Sequence, residues 1–291
     1  MASEILRAMT SDGSARIIVI NSTDIVNRAI EIHGTAPTAT AALGRTLSAA
    51  SMMGSLLKEK ENSLTLNFRG DGPLGGVLAV SDYMGNVRGY AVNPKCDVER
   101  KQSGKLDVGA AVGKGGLYVI RDEGGKEPYV GVTGIVSGEI AEDITSYYVE
   151  SEQIPTLCSL GVLVNSDGSC QAAGGVLVQL LPFADEGIIS VLEQNAPGLT
   201  NVSRLIAGGA SVLEIAKRAL AGIEFDVFDN YEVEYKCTCS RERTLDALIT
   251  LPESDLAEIF EKENFLQTEC HFCDMKYTFT KEEVENHIKK D

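Results

Sequence analysis

Short apolar runs alternate with glycine-, asparagine- and aspartate-rich breaks along the first 180 or so residues. Segments 15–20, 63–69, 76–81, 87–92, 117–121, 129–136 and 160–164 carry β-branched and aromatic residues between such breaks, which predicts strands joined by turns. Two stretches depart from that rhythm. Residues 38–60 repeat Ala, Leu and Met at helical spacing, and residues 139–151 follow Gly138 with acidic side chains in the first turn, so both are expected to be helices. The combination predicts an α+β domain with a mostly antiparallel sheet over residues 1–182.

From residue 183 the period lengthens. Ile188, Ile189, Val191 and Leu192, then Leu199, Val202, Leu205 and Ile206, then Val212, Leu213, Ile215, Ala216 and Leu220 recur at three and four residues. Ala196-Pro-Gly198 and Gly208-Gly209 cut this stretch into helices of two or three turns, too short to persist without packing on something else. Residues 222–236 place Phe225, Val227, Tyr231, Val233 and Tyr235 at even spacings and read as an extended connector. Segments 241–251 and 254–263 read as helices, and Thr280 with Glu283 forms a capping box for a last helix carrying Val284 and Ile288. The expected division is a core at 1–182, a helical linker at 183–232 and a small C-terminal domain at 233–291.

Composition sharpens the last boundary. All 29 glycines lie at or before Gly222, and residues 222–291 hold 18 acidic against 8 basic side chains, a net −10 of the chain's −16. An average surface this acidic repels a nucleic-acid backbone. The apolar stretch 176–184 is far too short to span a bilayer and includes Gln179 and Pro182. No signal-peptide pattern precedes the first strand, so a cytoplasmic location is expected. In a reducing compartment, clustered cysteines more often bind metal than form structural disulfides, and the seven here cannot all pair within one chain.

Four of the seven fall in two tight pairs. Cys237-Thr-Cys239 and Cys270-His-Phe-Cys273 can surround one Zn²⁺ with four thiolates, closing a structural site. Two alternatives stand beside it: the thiols as small buried hydrophobes, or a zinc site in which His271 or His287 replaces one sulfur. Each close pair could also oxidise to a local disulfide, which excludes the metal. A zinc-finger-like site contributes roughly 10–16 kcal/mol, more than the whole stability expected of so small a tail, about 0.05–0.15 kcal/mol per residue. Oxidation would therefore unfold the tail, making the cysteines a candidate redox switch, although a permanent structural zinc explains the same residues. Cys96, Cys158 and Cys170 are scattered and read as ordinary packed thiols.

Other motifs carry less. Gly70-Asp-Gly72-Pro-Leu-Gly75 matches the dinucleotide-binding glycine pattern, but the residues after it read as a strand rather than a helix, which favours a hairpin turn. Gly109-Ala-Ala-Val-Gly113-Lys114-Gly115 has three intervening residues where a phosphate loop has four, and lacks the terminal Ser or Thr, so no ATP site is expected. No hydrolase signature is present, and His33 reads as a cap or packing residue. Two rival functions fit poorly. A zinc-ribbon nucleic-acid module needs more than Lys236, Arg241 and Arg243 as its basic face. A thiol-disulfide oxidoreductase needs its Cys-x-x-Cys at a helix start in a βαβ context.

The tail motif Glu234-Tyr-Lys-Cys237-Thr-Cys239-Ser-Arg-Glu-Arg243, then Leu251-Pro-Glu253, then Glu269-Cys270-His-Phe-Cys273 resembles the redox-switch domain of the heat-shock protein 33 family. The helix with Arg45 to Met53, the Gly70–Gly75 loop and Tyr147-Tyr-Val-Glu-Ser-Glu-Gln-Ile-Pro155 extend the resemblance over essentially the whole chain. The resemblance implies an ATP-independent holdase chaperone of the bacterial cytoplasm, not an enzyme, inactive while Cys237, Cys239, Cys270 and Cys273 hold one zinc ion. It further implies that oxidation joins Cys237 to Cys239 and Cys270 to Cys273, releases zinc, unfolds tail and linker, and yields a dimer that binds unfolding client proteins. It assigns no role to the other three cysteines.

Overall fold

The computed structural model describes residues 2–125, 127–182 and 184–288, and the chain divides into two compact units, residues 1–236 and 237–291. Phe183, where the linker opens in the sequence reading, and residues 289–291 lie outside the described residues. The larger unit runs through β1 (Glu4–Thr10), β2 (Ala15–Asn21), α1 (Thr23–His33), α2 (Pro37–Gly54), β3 (Ser63–Gly70), β4 (Val77–Asp82), β5 (Val87–Ala91) and α3 (Val108–Val112). It continues with β6 (Gly115–Asp122), β7 (Tyr129–Gly134), α4 (Ala141–Glu150), β8 (Thr156–Val164), β9 (Cys170–Leu180), α5 (Glu186–Asn195), α6 (Val202–Ala207), α7 (Val212–Ala219) and β10 (Phe225–Glu232). The expected α+β class with antiparallel sheets is what these elements build. One five-stranded sheet has the order β10-β1-β2-β9-β8 and the other β5-β4-β3-β6-β7.

Helix α2 lies between the sheets. Sixteen of its eighteen residues are buried, so it has no polar stripe, and its many Ala, Ser, Thr and Gly residues let both sheets approach closely. The buried hydroxyls satisfy themselves on backbone carbonyls: Thr46 donates to Ala42 at 2.8 Å, Ser48 to Gly44 at 2.7 Å and Ser51 to Gly85 at 2.6 Å. The helix ends at Gly54 rather than Lys60, where Leu56 N–H and Leu57 N–H turn to the Met53 and Gly54 carbonyls at 3.2 and 2.9 Å and tighten the last turn, and Gly54 lets Ser81 of β4 approach closely. Helical propensity continues past that point, but the chain has to turn into β3.

The first sheet is covered on both faces. Ile5, Ile18, Ile20 and Leu177 face α2, while Leu6, Ala8, Ile17, Val19, Val176 and Val178 form a second apolar face. Onto that face pack Leu199, Val202, Val212, Ile215, Ala216 and Ala219, from the short helices anticipated between 183 and 221. Strand β10 then pairs antiparallel with β1, and Arg7 donates from Nε to Asp229 at 2.9 Å across the pair. The connector expected at 222–236 is thus an edge strand of the main sheet.

The two nucleotide-like glycine motifs lock together instead of cradling phosphate. Asp71 donates its backbone N–H to Lys114 O at 2.8 Å, Gly72 to Val112 O at 3.0 Å, and Lys114 N–H reaches Asp71 Oδ1 at 2.7 Å. A Cβ at Gly70 or Gly72 would overlap carbonyl oxygens of α3, so only glycine permits this approach. Before α4, the fully buried Asp143 accepts backbone N–H groups of Val136, Ser137, Gly138 and Ile140, at 2.8, 3.0, 3.3 and 2.9 Å, and so shapes the loop that carries Glu139.

Candidate metal centre

The smaller unit contains α8 (Arg241–Leu248), α9 (Glu253–Lys262), a hairpin of β11 (Phe265–Glu269) and β12 (Lys276–Thr280), and α10 (Lys281–Ile288). Only Leu248, Leu256, Leu266, Phe279 and Val284 are fully enclosed among its described residues. Such a core needs a staple. The sequence reading anticipated the capping box, and it forms: Thr280 N–H donates to Glu283 Oε2 at 2.8 Å and Glu283 N–H to Thr280 Oγ1 at 3.3 Å. Arg241 ties α8 to the hairpin, donating to Thr278 O at 2.8 Å and Glu283 at 2.7 Å, with its guanidinium 4.4 Å from the Phe279 ring centre.

The hairpin tip presents one cysteine pair. Cys270 follows β11 and accepts Cys273 N–H at 3.2 Å and Asp274 N–H at 2.8 Å on its carbonyl, while its own N–H reaches Met275 O at 2.9 Å. Asp274 takes a left-handed backbone, φ 56°, to close this knuckle. The other pair lies on an extended stretch whose end, Ser240, caps α8 by accepting Arg243 N–H at 3.2 Å.

These two local structures bring the four sulfurs of Cys237, Cys239, Cys270 and Cys273 within 4.8 Å of one another. Cys237 and Cys270 are 3.7 Å apart and Cys239 and Cys273 3.4 Å apart. Four Zn–S bonds of about 2.3 Å at tetrahedral angles separate sulfurs by about 3.8 Å. The donor set therefore fits a tetrahedral ion of zinc's kind. Neither histidine belongs to the group. His287 pairs with Asp246 at 2.7 Å instead.

Tyr277, on β12, had no signal in the sequence. Its hydroxyl lies 3.2 Å from the Cys239 sulfur. Burial alone would raise the Cys239 thiol, but hydrogen bonds from Tyr277 and the neighbouring thiols outweigh it and hold Cys239 below the ordinary range. The same bond pushes the Tyr277 hydroxyl up to about 12. Burial pushes Cys237 and Cys273 up, so of these three thiols Cys239 gives up its proton most readily. The remaining cysteines are different in kind. Cys96 is raised by burial, Cys158 and Cys170 are pushed up by burial to about 12, and all three stay protonated thiols packed in the larger unit.

Comparison with known proteins decides what carries this cluster. The model of a protein family described as Hsp33 protein matches residues 3–280. The chain belongs to the Hsp33 family. A 33 kDa chaperonin of Ruminiclostridium cellulolyticum is 43% identical over 291 residues, covering 100% of this chain and 99% of that protein. One from Alkaliphilus metalliredigens is 41% identical, with 98% of each covered. The crystal structure of the Hsp33 homolog of Thermotoga maritima superposes with a TM-score of 0.91 at 36% identity, covering 100% of this chain and 99% of that one. An Hsp33-type chaperone with a four-cysteine cluster is thus what sequence, fold and relatives agree on. No helix among the described residues is long and apolar enough to cross a membrane.

Proposed function

We propose that this chain is a redox-regulated, ATP-independent holdase of the cytoplasm, with residues 1–182 as core, 183–232 as metastable linker and 233–291 as redox switch. The observation that carries the reading is the convergence of four sulfurs, from two segments about thirty residues apart in sequence, to within 4.8 Å. Cys237, Cys239, Cys270 and Cys273 hold one Zn²⁺ in the reduced form. Zinc, when bound, supplies a tetrahedral cross-link between the extended stretch and the hairpin tip. That link, roughly 10–16 kcal/mol, exceeds the few kcal/mol that a unit of this size holds by itself, at about 0.05–0.15 kcal/mol per residue.

Oxidation removes four electrons from four sulfurs. Two molecules of hydrogen peroxide and four protons accept them, leaving two disulfides and four waters. Pairing decides the outcome. Disulfides Cys237–Cys239 and Cys270–Cys273 each close a loop of one or two residues and leave the two segments unlinked. Cross-pairing would staple a loop of about thirty residues and keep the unit folded. Local pairing therefore leaves the smaller unit without its cross-link, and on this reading the cover of α5–α7, which precedes it in the chain, is then released. What the cover hides is the apolar face of Leu6, Ile17, Val19, Val176 and Val178, a surface suited to unfolding client proteins rather than to a small substrate. The active form is a homodimer that binds clients without catalysing a reaction on them. The interlocked glycine loops support the absence of an ATP site, and the net charge of −16 supports the absence of nucleic-acid partners.

The test treats zinc-loaded, reduced protein with peroxide at mildly raised temperature. It follows zinc release, disulfide connectivity by mass spectrometry, and suppression of client aggregation without nucleotide. Stoichiometric zinc release, local disulfides and newly acquired suppression are expected. Equal suppression before and after oxidation, or cross-paired disulfides in the active form, would overturn the switch.

A further inference from the structure

In a chain of net charge −16, one cavity of the larger unit gathers cations and no carboxylate. It encloses about 250 Å³, and its wall includes Arg45 from α2, Arg100 and Lys105 from the loop before α3, and Arg204 from α6, with no Asp or Glu. Arg100, Lys105 and Arg204 form no ion pair among the described residues, and the one hydrogen bond of Arg100 goes to the Gly104 carbonyl at 3.2 Å. Arg45 is only partly neutralised. Its partner Glu139, at 2.6 Å, is shared with Lys101 at 2.5 Å. The Nε of Arg45 is buried without a hydrogen-bond acceptor, although buried donors are almost always satisfied. Ser103 and Asn201 add a hydroxyl and an amide to the wall, while the Thr200 hydroxyl donates to Pro197 O at 3.0 Å.

Three unpaired cations, with the partly neutralised Arg45 beside them, repel each other around one recess and focus a positive potential into it. A small anion removes that cost. We propose that this cavity is a binding site for a compact phosphate-bearing anion. The ligand would touch α2, the 100–105 loop and the start of α6 together. It would therefore bind only while α6 is docked, and by linkage it would hold the helical cover in place. The site itself does not depend on the redox reading, because it lies wholly in the larger unit and its test needs no client and no oxidant.

The test uses reduced, full-length protein titrated with inorganic phosphate, against sodium chloride at matched ionic strength. Binding is followed by calorimetry and by amide exchange across residues 201–207. Saturable binding is expected, with slower exchange at those amides. Arg204→Glu and Lys105→Glu, both at exposed positions, should each weaken binding by roughly tenfold or more. Lys60→Glu, an equal charge change outside the cavity, should leave it unchanged. Absence of saturation, or an Arg204→Glu curve that coincides with that of Lys60→Glu, would overturn the site.

Discussion

Ile215 is the residue on which separability of the helical cover is best tested. It is 0% exposed, on a helix of eight residues, packed with Val212 and Ala216 against the apolar face of β1, β2 and β9. A helix that short does not persist unsupported, so almost all of its stability comes from this docking. Truncating a buried Ile to Ala costs about 2–5 kcal/mol, depending on how far the site collapses. If the cover opens separately from the core, that loss raises the open population about thirty-fold at the low end and several-thousand-fold at the high end. Native-state amide exchange of reduced, zinc-loaded Ile215→Ala measures it directly. Amides of residues 212–219 should lose protection by that factor while those of α2 keep theirs. Equal loss in α2 and β3 would make cover and core one cooperative unit, and unchanged exchange at 212–219 would remove Ile215 from the docking surface. Either result refutes a metastable linker.

Other substitutions address other links in the argument. Tyr277→Phe deletes the donor to Cys239, so in metal-free protein Cys239 should be alkylated more slowly near neutral pH than in the parent, and an unchanged rate would remove Tyr277 from the tuning of that thiol. Gly70→Ala should lower the urea midpoint by the equivalent of about 2–3 kcal/mol, because its Cβ meets the rigid Val112 carbonyl. A midpoint within error of the parent would show that the two glycine loops are not interlocked in solution. Glu139 gives a pH dependence. Burial pushes its carboxyl up, but Lys101 and Arg45 pull it further down, so its folded value lies below the ordinary 4.5. Its contribution to stability is complete above 4.5 and is lost as pH falls through the depressed folded value. Glu139→Gln should therefore be less stable than the parent at pH 6, with the gap narrowing in denaturant melts as pH falls below 4. A gap that stays constant would refute the assignment.

Much of this protein was legible locally. The cysteine pairs, the Thr280–Glu283 capping box and the glycine turn after β3 are features of a few consecutive residues, whose chemistry is the same whatever the rest of the chain does. The short helices between 183 and 221 were visible for a related reason. They have one apolar face and one wet face, so their period survives in the sequence.

What failed to show includes two strands buried on both sides, pairings at long range, and the helix α1, which the sequence reading passed over although it buries only Ile25, Val26 and Ala29 on one face. Strands β1 and β9 lie in a sheet covered on both faces, which erases the polar alternation that marks a strand. In β9, Gly174 and Gly175 make room for Ile206 of α6 on one side and Met52 of α2 on the other. The pairing of β10 with β1 spans more than 200 residues, and the β11–β12 hairpin has too few alternating apolar positions to announce itself. The chemistry divides in the same way. Spacing alone named four cysteines, because thiolate ligands come as close pairs. Only the fold could add Tyr277 to Cys239, or gather Arg45, Arg100, Lys105 and Arg204 around one cavity, since those encounters depend on how separate segments pack.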